Sequence, residues 1–493
     1  MQDVTLLTPV GSALDTDELL GIFGGSVAPM TFATLKEHLQ QNDDEILHET
    51  AFYIDINVKA DDGNARHCNV GGNLHMLALW RNAWRGVIMD SEGNAALLSD
   101  TDHRYTADGL QIVDSTGSLV TAFANVNYMG IPPLTYGRLQ TISVSGVTRN
   151  RLWLSLIPLP GGFIIDETPV GMFKMSVVSG KGRSIPNQVP ANSVPICNYN
   201  GSTPNNFFDY AQAFGKNYGL AGVEFRNMII WYMMAAYGQR DSQNATLADG
   251  TPIWGVGLDG SENPTGSSSD GFTRQRNIKT GATLSLGKAD GKVAVTDSAG
   301  GTCHSVKVAG LFENPWGQYW EMDGHLCSIG TQVIHWKSNF MPLAAAPTES
   351  TFGNIPYIKL TRHTAQISNG THKMNEVLTD GAQGVYMIPN GTVGNVNYGD
   401  YFYYDANGQL WLWGGSSNRG SYCGLVFSDS SYVWTYSYAN ISARVDFHGT
   451  VNMVSGQRLK ELLAAAEKVF FETIVKPNSG KSRGLGDAIP QSP

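Results

Sequence analysis

Eleven histidines and five cysteines could carry chemistry in this 493-residue chain, and their spacing decides whether they do. No HExxH zinc-protease motif, no G-x-S-x-G nucleophile elbow and no phosphate-cradling glycine loop occurs. Cys303 and His304 are adjacent, so a strand would point them to opposite faces and no thiol–imidazole dyad forms. Cys68 with His67 and His75 is a weak metal spacing. Asp259, Glu262, Asn263 and Asp270 have the oxygen donors of an incidental calcium loop, and equally the make-up of a solvated one. The five cysteines, Cys68, Cys197, Cys303, Cys327 and Cys423, are odd in number and far apart. No disulfide framework can be read from them, and most read as buried thiols. We therefore expect a protein that is not an enzyme and needs no cofactor.

A different chemistry, that of contact, is concentrated at 411–447. Between 416 and 438 serine recurs seven times and tyrosine four times, at Tyr422, Tyr432, Tyr436 and Tyr438. Tyrosine offers a large, stiff, amphipathic contact and serine adaptable hydrogen bonding, the pairing used by antibody combining sites. Taken alone, the composition also suits a polar, turn-rich loop with surface tyrosines.

The flanks must hold such a segment. Trp411 and Trp413 fall on one face of a strand, with Leu410 and Leu412 on the other. Asn407-Gly408 is a strong hairpin signal between 400–404 and 409–413, so a rigid hairpin is expected to deliver the chain to Gly414-Gly415. Ile441, Ala443 and Val445 alternate again, as a return into the sheet would. Rigid ends around a tolerant middle let a loop vary without unfolding its domain.

Gly414-Gly415, Asn418, Gly420-Ser421, Gly424-Leu425 and Ala439-Asn440-Ile441-Ser442-Ala443-Arg444 resemble the variable-region frame of diversity-generating retroelement proteins. The run from Val308 to Gly324, with Gly310, Glu313, Asn314, Trp316, Gly317, Trp320 and Glu321, resembles the G-x-E-N-x-x-G-x-x-W-E core of formylglycine-generating-type C-type lectin folds. Phe312 is one residue more than that pattern has. A third stretch, 235–243, resembles a helix end of phage proteins with this domain. Together the matches cover about 163–450.

The resemblance implies an α+β fold, a C-type lectin-like C-terminal domain preceded by a β-rich domain. It implies a ligand-binding site at Ser416, Ser417, Arg419, Tyr422, Ser428, Asp429, Ser431, Tyr432, Thr435, Tyr436 and Tyr438. The frame would be Trp411, Trp413, Gly414, Gly415, Glu313, Asn314, Trp316, Gly317, Trp320, Asn440 and Arg444. It also implies a phage or prophage receptor-binding protein at a tail-fibre tip, a homotrimer like the major tropism determinants. Such a protein would bind a host cell-surface protein or glycan and join other virion tail proteins through its N-terminal region. A bacterial surface adhesin with the same domain is the first alternative. A copper-using oxidase of the same fold is the second, but it needs paired cysteines late in the domain, where Cys423 stands alone. Glu313-Asn314-Pro315 mimics the sugar-binding triplet of calcium lectins, yet it sits inside the Trp-rich core and no Trp-Asn-Asp follows.

The bulk numbers agree with a binding role. Apolar residues make up 42%, enough for large cores, and the charged fraction is only 15%. A net charge of −10 argues against nucleic acid, whose phosphates need concentrated Lys and Arg. The N-terminal residues lack a basic region followed by an apolar core, so no secretory signal is read. No apolar stretch is long enough to span a bilayer. A virion component, made in the host cytoplasm and released by lysis, fits both.

Four regions are expected. Residues 1–45 read as a helical docking segment, with helices at 15–23 and 31–40. Residues 46–160 read as a β-rich sandwich, barrel or prism, from the alternation at Phe52, Ile54 and Ile56 and strands at 95–98, 110–113, 119–122 and 152–154. Residues 161–450 form the lectin-like domain, with helices at 206–217 and 223–237 and the variable region at about 414–447. Residues 451–493 form an amphipathic helix, packed either on this chain or between subunits, and a flexible tail.

Overall fold

The alternation of Leu410, Trp411, Leu412 and Trp413 becomes a strand, Leu410–Trp413, that divides two cores in the computed structural model of the protein. Leu410 and Leu412 join one apolar cluster, while Trp411 and Trp413 stack at 5.8 Å in another. The structure describes residues 18–23, 26–31, 43–56, 66–199, 205–242, 245–247, 250–252, 277–296, 300, 302–330, 332–361, 370–373, 377–380, 384–389, 401–405, 407–417 and 423–470. The protein is mixed α+β, mostly β-sheet with few helices.

Three larger sheets carry the architecture. The first has five strands in the order Phe163–Ile165, Thr135–Val144, Val147–Ser155, Phe52–Asp55 and Val70–Gly72. The second runs Tyr218–Leu220, Val445–Phe447, Val170–Gly171, Asn127–Ile131, Arg85–Met89, Asn94–Leu97 and Asn452–Val454. The third runs Tyr357–Thr361, Gln332–Trp336, Trp320–Ile329, Leu410–Trp413, Ser428–Tyr432, Tyr401–Tyr404 and Gly370–Lys373. Ile441–Ser442 adds to it in parallel beside Trp320 and Glu321.

The helices are α1 (Asp43–Thr50), α2 (Leu74–Asn82), α3 (Phe207–Phe214), α4 (Val223–Tyr237) and α5 (Gly456–Phe470). Asn206 caps α3 by accepting from the Asp209 amide. Helix α4 is buried on nearly every face, so its Met and aromatic residues are core. Helix α5 seats Leu459 and Leu463 in the core of its own chain. No helix among the described residues is long and apolar enough to cross a membrane.

Several expectations are corrected. Residues 18–23 are a strand, Glu18–Phe23, paired with Ser26–Thr31, not a helix. Glu18-Leu19-Leu20 has helical preference, but Gly-Gly between two apolar runs is also a hairpin signal. The expected helix at 31–40 lies, beyond Thr31, outside the described residues. Residues 110–113 and 119–122 make only isolated bridges and a 3₁₀ turn, Thr121–Phe123. A boundary at 160 would cut the seven-stranded sheet, whose strands come from both sides of it. Its outer strand, Asn452–Val454, likewise carries the sheet past 450.

The expected hairpin at 400–413 is also absent. Tyr401–Tyr404 and Leu410–Trp413 do not pair with each other. Ser428–Tyr432 lies between them, parallel to the first and antiparallel to the second. The Asn407-Gly408 turn exists, with the Gly408 amide donating to Asp405 O at 3.0 Å, but it spreads its strands around a third. Gly408 is required there, because a Cβ would stand 1.8 Å from Ser430 O.

Candidate functional site

A charged knot anchors the segment 414–447. Glu321, on the Trp320–Ile329 strand, meets Lys174, Arg226 and Arg444, and all four are buried. Arg444 also donates to Gly171 O at 2.9 Å and Glu313 O at 3.1 Å. It therefore fixes the point where the chain leaves Ile441–Ser442 in one sheet for Val445–Phe447 in the other. Burial alone raises the Glu321 carboxyl, but Arg226, Arg444 and Lys174 outweigh it and hold it well below the usual carboxylate range. Burial pushes the Lys174 ammonium down to about 7, against the pull of Glu321.

The Glu313–Trp320 stretch locks onto this knot. Glu313 accepts from the Gly281 and Thr283 amides and the Thr283 hydroxyl, at 2.9, 2.9 and 2.8 Å. Asn314 takes φ 45° and its Oδ1 accepts from the Val306 amide. Gly317 takes φ 68° and its amide donates to Gly414 O at 2.9 Å. Trp316 and Trp320 are buried beside them. Gly414 and Gly415 have φ 82° and 72°, and a Cβ on Gly415 would strike Cys423 Sγ and Phe427. The Trp320 amide donates to Asn440 O, and Asn440 Nδ2 donates to Ser416 Oγ at 3.3 Å. Trp411 Nε1 donates to Ser328 Oγ and Trp413 Nε1 to Asp323 Oδ2. These bonds tie the expected frame residues to the core through three adjoining apolar clusters, with Asn440 half-buried at the margin.

The expected contact residues divide. Ser416, Ser417, Ser428 and Asp429 are buried, which corrects their assignment to a surface. Ser416 and Ser417 lie in the glycine turn, where the Ser417 amide donates to Gln318 O. Ser428 and Asp429 belong to a strand bonded on both sides. Asp429 Oδ1 accepts from the Ser431 amide at 2.9 Å and from the Ser431 hydroxyl. Arg419 and Tyr422 lie outside the described residues, as do Asp259, Glu262, Asn263 and Asp270.

The remaining five gather at the surface. Ser431, Tyr432, Thr435 and Tyr436 are half-buried, and Tyr438 is 55% exposed. Tyr432 and Tyr436 stack at 3.9 Å and 13°, and Tyr436 and Tyr438 continue the stack at 6.2 Å and 12°. Buried Trp434 holds the turn beneath, its indole donating to Pro342 O and its amide to Gln409 Oε1. Tyr199 donates its hydroxyl to Thr435 O, and the Ser193 amide donates to Tyr438 O. Val433, next to Tyr432 in the chain, is half exposed.

Sequence reasoning missed Trp434, Val433, Tyr199 and Ser193. The signal for Trp434 was an apolar residue set among polar ones, whereas Tyr199 and Ser193 are too distant in the chain to be read locally. No catalytic constellation surrounds the ladder among the described residues. All five cysteines are buried, and burial pushes the Cys68 and Cys197 thiols up to about 12. No protein-family model and no curated protein matches the chain.

Proposed function

We propose that this chain is the receptor-binding protein of a phage or prophage, with a C-type lectin-like C-terminal domain displaying a retroelement-diversified face. The observation that carries this reading is the three-tyrosine ladder, Tyr432–Tyr436–Tyr438, standing over a frame locked by Arg444 and Glu321. Parallel rings with few rotatable bonds give contact area at low entropic cost. The buried layer holds the backbone while the exposed side chains are free to differ. The ligand is a host cell-surface protein or glycan, bound without covalent chemistry. Several copies on one particle, as a homotrimer at a tail-fibre tip, would turn weak contacts into avidity. The N-terminal region would join other tail proteins.

Deep sequencing of the gene across a propagated population tests this reading. Substitutions should concentrate at adenine-containing codons for Arg419, Tyr422, Ser431, Tyr432, Thr435, Tyr436 and Tyr438, with Trp411, Trp413 and Arg444 unchanged. A segment no more variable than the rest would withdraw the retroelement reading and leave a binding module of fixed specificity.

A further inference from the structure

Away from the ladder, three histidines and two carboxylates that no motif predicted come together from four elements. Glu224 is the second residue of α4, His325 lies on Trp320–Ile329, and His335 on Gln332–Trp336. Asp446 lies on Val445–Phe447, and His448 follows it. Glu224 holds His325 Nδ1 at 2.9 Å through one oxygen and His335 Nε2 at 2.6 Å through the other. The far side of His335 meets the Tyr386 hydroxyl at 3.1 Å. His448 Nε2 meets Asp446 Oδ2 at 2.8 Å.

Two atoms in this nest are left over. His325 is 4% exposed, and its Nε2 has no hydrogen-bond partner among the described residues. Asp446 Oδ2 lies 3.2 Å from it, an ion-pair contact that a bound metal would replace. Asp446 is fully buried, and its Oδ1 is likewise without a hydrogen-bond partner among the described residues. Buried polar atoms left unmatched cost about 1–3 kcal/mol each unless something meets them. The packing that seats His325 is specific, since a Cβ on Gly222 would stand 2.3 Å from its ring.

We propose that His325, Asp446 and His448 bind one divalent ion of the zinc class. Their donor atoms all lie within 4.8 Å of one another. A tetrahedral zinc site with bonds of about 2.0–2.1 Å places its ligand atoms roughly 3.4 Å apart, so small side-chain rotations close the set. Two imidazoles and one carboxylate select a borderline-soft transition ion over calcium or magnesium. Glu224 is the positioning residue. By accepting a hydrogen bond from His325 Nδ1–H it aims Nε2 toward Asp446 and His448, where the ion would replace the Nε2 proton, the outer-sphere arrangement of metal-bound histidines. The fourth position faces a cavity of about 90 Å³, bordered by Ile165, Asp166, Phe225, Met228 and Lys337, with room for water or a small ligand. The ion would tie the sheet that carries the ladder to the strand on which the segment 414–447 ends. This holds whatever the ladder binds.

Full-length protein stripped with chelator and titrated with zinc alone tests the site, with cobalt as a spectroscopic probe. One equivalent should bind, raise Tm, and give the intense visible bands of tetrahedral cobalt. His448→Ala is the first variant, because His448 is the least buried of the three. It should lose the zinc-dependent rise in Tm, measured against its own value in chelator, and lose zinc affinity by at least about tenfold. Glu224→Gln should weaken zinc by about 10–100-fold while keeping the one-to-one stoichiometry. Zinc binding by the native protein no tighter than by His448→Ala, or a preference for calcium, would overturn the proposal.

Discussion

The two halves of the serine- and tyrosine-rich segment share their serines and behave oppositely where the structure describes them. Ser416, Ser417, Ser428 and Asp429 are inside, tied to backbone and to neighbouring strands. Tyr432, Thr435, Tyr436 and Tyr438 reach the surface a few residues later. Small polar residues suit both places, because a serine hydroxyl satisfies itself on nearby backbone when buried. Residue type therefore marks the segment as polar, and the strand order decides which half reaches the surface.

The largest effect should come from the layer that both halves stand on. Arg444→Met leaves Glu321 short of one cation inside the protein and should cost about 3–5 kcal/mol in denaturant unfolding. A loss under 1 kcal/mol would mean that the knot does not hold the segment. The same knot predicts an acid limb. Glu321 has its folded pKa held below the ordinary 4.5, so its stabilisation is complete above that pH and drains away as pH falls below it. Unfolding free energy should drop below about pH 4.5, more shallowly in Arg444→Met, as denaturant titrations from pH 7 to 3 would show.

The inner half comes next. Asp429→Ala removes the acceptor for the Ser431 amide and hydroxyl and should cost about 1–3 kcal/mol by the same unfolding measurement. In the outer half, Tyr436→Ala breaks both stacking contacts. It should lower stability by only about 0.5–1.5 kcal/mol and, on the proposed receptor-binding reading, abolish attachment to host cells. The smallest change belongs to Tyr438→Ser, expected within about 0.5 kcal/mol of native stability. Equal destabilisation by Asp429→Ala and Tyr438→Ser would erase the distinction between the halves.

How far the sequence could be read follows from the range of each signal. The Leu410–Trp413 faces, the Asn314 and Gly317 turn and helix α4 were legible, because each depends on a periodicity or a glycine within a few residues. Inserting Ser428–Tyr432 between Tyr401–Tyr404 and Leu410–Trp413 was not, since Asn407-Gly408 announces a turn without naming the strand partners. The N-terminal hairpin was missed because local helix preference at Glu18, Leu19 and Leu20 yielded to strand pairing. Of the histidine–carboxylate nest only Asp446 and His448, two residues apart at a strand end, left a local trace, and Glu224, His325 and His335 are joined to them by the fold alone.

The position of Val445–Phe447, between the edge strand Tyr218–Leu220 and Val170–Gly171, sets an order of events during synthesis. A ribosome delivers that strand only after both of its partners, so Tyr218–Leu220 and one edge of Val170–Gly171 stay open until then. Everything in the serine- and tyrosine-rich segment has already been made by that moment. A chain broken by a stop or frameshift in that segment never receives the strand that joins Tyr218–Leu220 to the rest of the sheet.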